Sequence, residues 1–174
     1  KYVLSLGGKR IRPTLMLLAY NLFKDDVDSI LPAACALETY HNYTLLHDDL
    51  MDNAPLRRGH ATVHEKWNPN VAILSGDSML VLSYERMMQC RPDKLKPVLE
   101  LFTETALQIG EGQQYDMEFE TRSDVTEDEY LEMIRLKTSV LLACAAKIGA
   151  ILADAPDEDA DNLYRFAEQV GLAF

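Results

Sequence analysis

Apolar residues recur at helical spacing along nearly the whole chain, and alternating strand patterns are scarce. The stops are equally regular. Pro13 opens a first apolar segment to about Phe23. Asp28 or Ser29 is placed to cap a long second helix, with Pro32 tolerated in its first turn, and Ala54-Pro55 ends it near Asn53. A polar, basic loop spans Leu56 to His60. A third helix runs from about Pro69 to just before Arg91-Pro92, and a fourth from about Asp93 to Glu120. Thr126 and Glu129 make a capping box for a fifth helix reaching about Ala153. A last helix starts near Asp157 and is still running at Phe174. The expected fold is all-α, a bundle of long helices with short connections. At 174 residues the chain is one domain, 1–174. It starts at Lys1 rather than methionine and stops inside a helical pattern, so both ends read as cut.

Charge and cysteine usage narrow the function classes. A net charge of -11 argues against nucleic acid and against an anionic membrane surface. A phosphorylated ligand is still allowed, because bound cations invert local charge. Cys35, Cys90 and Cys144 are widely spaced and sit in apolar contexts, which reads as core thiols in a reducing compartment, the cytosol. The apolar stretch Leu141–Ala153 is broken by Lys147 and reads as a core helix, not a membrane span. The methionines at 51, 79, 87, 88 and 117 read as core filler.

The strongest chemistry lies in His47-Asp48-Asp49-Leu50-Met51-Asp52. Asp48 and Asp52 are one helical turn apart on the same face. Two bare carboxylates there repel unless a cation sits between them, and carboxylate oxygens suit magnesium shared with phosphate. Extending that face backwards adds Thr44 and His41, a polar stripe on an otherwise apolar helix. Two basic clusters flank it, Gly7-Gly8-Lys9-Arg10-Ile11-Arg12-Pro13 and Arg57-Arg58-Gly59. Lys9 and Arg12 are spaced to grip one phosphate group, the arginine as a planar fork and the lysine as a point charge. Taken alone, each of these features also reads as solvated surface; their co-occurrence is what carries weight.

The ordered set GGKRIRP, LLHDDLMDNAPLRRG, GQQYD and LKTSVLLACAAKIG resembles the trans-isoprenyl diphosphate synthase (polyprenyl synthetase) family over essentially the whole chain. The resemblance implies helices around a central substrate cavity, and a magnesium-dependent condensation of isopentenyl diphosphate with an allylic diphosphate to C15–C20 trans-prenyl diphosphates. It implies that Asp48 and Asp52 ligate magnesium, with Asp49 in support. Lys9, Arg12, His41 and Arg58 would hold isopentenyl diphosphate, while Arg57 and Lys137 would contact the allylic diphosphate. Gln113 and Asp116 would lie close to the metals and the reacting carbons, and the backbone of Thr138 would stabilise positive charge.

In the family, bulky residues four and five places before the first aspartate limit product length. Here these are Thr44 and Tyr43, a pattern similar to that of twenty-carbon synthases. Ideal helical geometry puts Tyr43 ~140° from Asp48, so Tyr43's place in the pocket rests on the resemblance. The resemblance also implies a homodimer, and a second aspartate-rich motif beyond residue 174. Without that motif, the alternative is a non-catalytic subunit or fragment that binds magnesium diphosphate without turnover. A terpene cyclase shares DDxxD, but GGKRIRP and Arg58 argue against it, since a cyclase needs no isopentenyl diphosphate site. His47, His60 and His64 are given no catalytic role.

Overall fold

A computed structural model describes residues 1–174 as an all-α bundle. A short helix α1 (Tyr2–Ser5) leads through the glycine loop into α2 (Ile11–Asn21) and then α3 (Leu31–Met51). A small antiparallel hairpin follows, β1 (Leu56–Arg57) with β2 (His60–Ala61), and then α4 (Val63–Lys66) and α5 (Pro69–Met87). The long α6 (Leu95–Phe119) precedes α7 (Glu127–Ile134), which passes through a π turn at Arg135–Ser139 into α8 (Val140–Leu152). Helix α9 (Asp157–Ala173) closes the chain.

The centre of the bundle is α8. Eleven of its thirteen residues are buried, so it is apolar all round and every side has a neighbour. Its one charged residue, Lys147, reaches out to Asp161 on α9 at 2.6 Å. Around α8 the main core gathers Met16 and Tyr20 from α2, Leu37 and Tyr40 from α3, and Phe102 from α6. No helix is long and apolar enough to cross a membrane.

Three local expectations need correction. Asp28 and Ser29 do not cap α3. They lie in a 3-10 turn, Val27–Ile30, and the Ser29 hydroxyl sits 3.1 Å from the Tyr20 phenol, which also bonds Asp26. The side chains are thus spent on a tertiary contact. The basic loop is partly a two-residue hairpin, and α4 is a further turn of helix between it and α5. Of the five methionines read as core filler, Met87 is fully buried, but Met51, Met88 and Met117 are about half exposed. By contrast the Thr126–Glu129 capping box is present in both directions.

Candidate active site

Two hollows meet along α3. The larger is an open, mainly apolar cleft of about 670 Å³ between α3 and α6. From α3 it takes Tyr40, Tyr43, Thr44, His47, Asp48 and Met51, and from α6 it takes residues from Ala106 to Glu118. The smaller cavity, about 150 Å³, holds Arg12, His41, Lys137 and Thr138. Thr44, Asp48, Ile109 and Gln113 line both. Helical phase explains the arrangement. The 40-43-44-47-48-51 stripe spans ~140° of α3, and 41-44-45-48 is the adjoining stripe, with Thr44 and Asp48 on their common edge. Tyr43 therefore does reach the cleft, at its far side from Asp48. Its ring packs edge-on against His47 at 4.9 Å and tilts against Tyr40 at 5.4 Å.

Lys137 sits between two carboxylates, 3.1 Å from Asp48 and 2.5 Å from Asp116. Burial alone would lower its pKa, but the bonds to Asp116 and Asp48 outweigh burial and hold the ammonium above its ordinary range. The π turn is what delivers it there. That turn is clasped between Gly112 of α6 and Gly171 of α9. A Cβ on Gly112 would lie 2.5 Å from the Lys137 backbone nitrogen, and one on Gly171 2.5 Å from the Ser139 Cα. Only residues without side chains admit so close an approach. Wide turns of this kind occur mostly as single interruptions of an α-helix and frequently at functional sites.

Asp49 is buried and both its oxygens are bonded by Arg57, at 2.8 and 3.0 Å from Nε, with a further contact of 2.6 Å from Nη2. These bonds raise the Arg57 pKa, and the same guanidinium reaches to 3.6 Å from Asp48. Asp52 lies at the C-terminal end of α3 and lines neither hollow. Desolvation and the nearby Asp48 carboxylate push its pKa up.

At the other end of the small cavity, Arg12 lies 3.2 Å from His41 Nε2. A guanidinium can only donate, so this nitrogen accepts and His41 is neutral. Burial, and then Arg12, push the His41 pKa down to about 3. Burial also pulls Arg12 down to about 10. Arg58 donates to the Gly7 carbonyl and lines neither hollow. Lys9 is exposed, with its ammonium 5.2 Å from the centre of the Phe174 ring. Thr44 turns its hydroxyl onto the His41 carbonyl at 2.8 Å, and Gln113 contacts the Met51 sulfur at 3.7 Å.

The small cavity thus gathers seven of the residues singled out in the sequence: Arg12, His41, Thr44, Asp48, Gln113, Lys137 and Thr138. Tyr40, which the sequence reading leaves unmentioned, also lines the cleft, as do His47, given no catalytic role, and Met51 and Met117, read as core filler. The period of α3 could have found the first three, since they share a face with Thr44 and Asp48. His47 lies 3.2 Å from the Ile73 carbonyl, a structural contact.

As a seat for a cation, Asp48 and Asp52 offer hard oxygen donors one turn apart, with Asp116 joined to Asp48 through Lys137. No three His, Cys, Asp or Glu side chains converge to enclose an ion by themselves. An ion held here would draw its other oxygens from a ligand and from water, the usual habit of magnesium.

The polyprenyl synthetase family model matches residues 1–174. Geranylgeranyl diphosphate synthase of Methanosarcina mazei is 44% identical over 176 residues, covering 100% of this chain and 54% of that protein. The short chain isoprenyl diphosphate synthase of Methanocaldococcus jannaschii is 44% identical over 175 residues, covering 100% and 53%. A crystal structure of a geranylgeranyl pyrophosphate synthase superimposes with a TM-score of 0.96 at 47% identity, over 99% of this chain and 53% of that one. The chain thus spans about half the length of the curated relatives it matches.

Proposed function

The chain belongs to the polyprenyl synthetase family, and on that premise we propose that it carries active-site residues of a magnesium-dependent trans-prenyltransferase. The reaction joins isopentenyl diphosphate to an allylic diphosphate and gives C15–C20 prenyl diphosphates. One observation carries this reading. The apolar cleft and the cationic cavity share the wall formed by Thr44, Asp48, Ile109 and Gln113. A prenyl tail fits the first, a short diphosphate the second, and the reacting carbons meet at the shared wall.

In this reading Arg12, His41, Lys9 and Arg58 bind isopentenyl diphosphate. Lys137 and Arg57 bind the allylic diphosphate, and Asp49 acts by orienting Arg57. Magnesium held by Asp48 and Asp52 supplies charge stabilisation to the leaving diphosphate. The allylic carbon–oxygen bond breaks and the pair of electrons leaves with the diphosphate. The double bond of isopentenyl diphosphate then attacks the allylic carbon, and the new carbon–carbon bond leaves a tertiary cation. Loss of a proton to the released diphosphate restores a double bond. Gln113 and the Thr138 backbone face the developing positive charge. Fixing both substrates at one wall makes the step effectively intramolecular.

The test is incubation with magnesium, isopentenyl diphosphate and geranyl diphosphate, followed by mass spectrometry of the prenyl products. Magnesium-dependent C15 or C20 products support the reading. Absence of product, together with absence of diphosphate binding by calorimetry, overturns it. Tyr43→Ala is expected to lengthen the product by at least one five-carbon unit, because its ring narrows the cleft against Tyr40 and His47. An unchanged product distribution would remove Tyr43 from the length-setting role.

We also propose that two copies pair. Leu74 and Val81 on α5 and Leu107 on α6 are each about two-thirds exposed, apolar side chains that a second copy would cover, and the family resemblance implies a homodimer. Light scattering should give twice the chain mass, and a strict monomer at micromolar concentration contradicts it. Cys144 is buried and Cys90 partly buried, but Cys35, expected as a core thiol, is exposed; free thiols fit a cytoplasmic setting.

A further inference from the structure

Five cations crowd the start of α2 and the hairpin: Lys9, Arg10, Arg12, Arg57 and Arg58. They fall into two classes. Arg57 is held by Asp49, and Arg10 by Glu38. Lys9, Arg12 and Arg58 make no ion pair with a carboxylate, and the Arg12 Nε is buried without a partner. The neighbourhood therefore sorts its positive charge, and Glu38 removes Arg10 from the set left open to an anion.

The Glu38 carboxylate is itself built into α3. Its Oε1 accepts from the fully buried Asn42 at 2.8 Å as well as from Arg10, and the Asn42 amide also bonds the Glu38 carbonyl at 2.8 Å. Arg10 spans from there to the Leu4 carbonyl at 2.9 Å. The Arg10 backbone is left-handed, φ +52°, at the entry to α2. A side chain in that conformation persists when its surroundings hold it there. The pin is one turn away from His41 on α3, so one helix face both holds Arg10 and accepts from Arg12.

We propose that Glu38 is a positioning residue for isopentenyl diphosphate: by pinning Arg10 it fixes the Gly7–Arg10 loop, and so sets where Lys9 and Arg12 stand. The inference rests on reading the small cavity as the isopentenyl diphosphate site. Glu38→Ala should weaken isopentenyl diphosphate binding by about tenfold in calorimetry. The KM for that substrate should rise far more than kcat falls, with the KM for geranyl diphosphate unmoved. Glu38→Gln keeps an acceptor for Arg10 and Asn42 and should restore most of the affinity. Amides of Gly7 to Ile11 should exchange faster with deuterium in Glu38→Ala while those of α8 do not.

Three results overturn the role: unchanged isopentenyl diphosphate affinity in Glu38→Ala, an equal rise in both KM values, or unchanged exchange of the loop. If the unaltered protein binds no isopentenyl diphosphate, the reading of the cavity falls and this role with it. If it binds and Glu38→Ala binds equally well, the cavity reading stands and only the role of Glu38 falls.

Discussion

Asp48→Asn is expected to remove magnesium-dependent diphosphate binding and lower kcat/KM by at least about a thousandfold, with the fold intact. Asp48 stands on the edge shared by the two hollows, and both Lys137 and Arg57 approach it. The amide keeps its shape and loses its charge. The stability change should stay within about 1 kcal/mol, because the group is partly solvated and such pairs contribute little. Lys137 also keeps Asp116 at 2.5 Å, and Arg57 keeps Asp49. Calorimetric titration with inorganic diphosphate, with and without magnesium, together with a thermal melt, measures both halves. Kinetics equal to those of the unaltered protein would sink the metal assignment.

Gly112→Ala is expected to act from the backbone. The new methyl would meet the Lys137 nitrogen at 2.5 Å and the Leu136 carbonyl carbon at 2.8 Å, and neither can swing aside as a side chain tip can. α6 and the π turn must part. Overpacking of this kind costs about 1–3 kcal/mol, set against about 1 kcal/mol gained in helix propensity. The larger effect should be on rate. A displacement of about 1 Å at a group that orients substrate can cost about a hundredfold. Gly110→Ala is the control for stability. Its Cβ has nothing within 4 Å, so that variant should melt at or above the temperature of the unaltered protein. Equal melting and equal rates for Gly112→Ala would show that the contact with the turn is slack.

The long helices were legible because their signals are local: the period of apolar residues, the prolines, and the Thr126–Glu129 box. The set of residues around Asp48 was legible in part for the same reason, since His41, Thr44, Asp48 and Asp52 lie on one stripe of one helix. Where partners come from elsewhere in the chain, the sequence offered less. Ser29 carries a capping signal that Tyr20 intercepts. The reach of Arg57 to Asp49 joins residues across the turn that ends α3 and needs the hairpin, which has only two residues per strand. Glu38 is a middle case. It continues the polar stripe one step further back, but its task depends on a left-handed Arg10 that no periodicity announces. The π turn was hidden altogether, because apolar residues continue on both sides of it.

That turn means that part of the site depends on how many residues the chain has, and not only on which ones. In a regular helix, one residue more or fewer rotates everything beyond it by ~100°. Residues Arg135–Ser139 take up such an offset, so that α7 keeps its capping box, α8 keeps its buried faces, and Lys137 still points at Asp48 and Asp116. Losing Leu136 or Ser139 would leave every site side chain present and give a more regular helix, yet either Lys137 or the helix before it would face the wrong way. Substitutions along this stretch test the chemistry of the site; insertions and deletions test its phase.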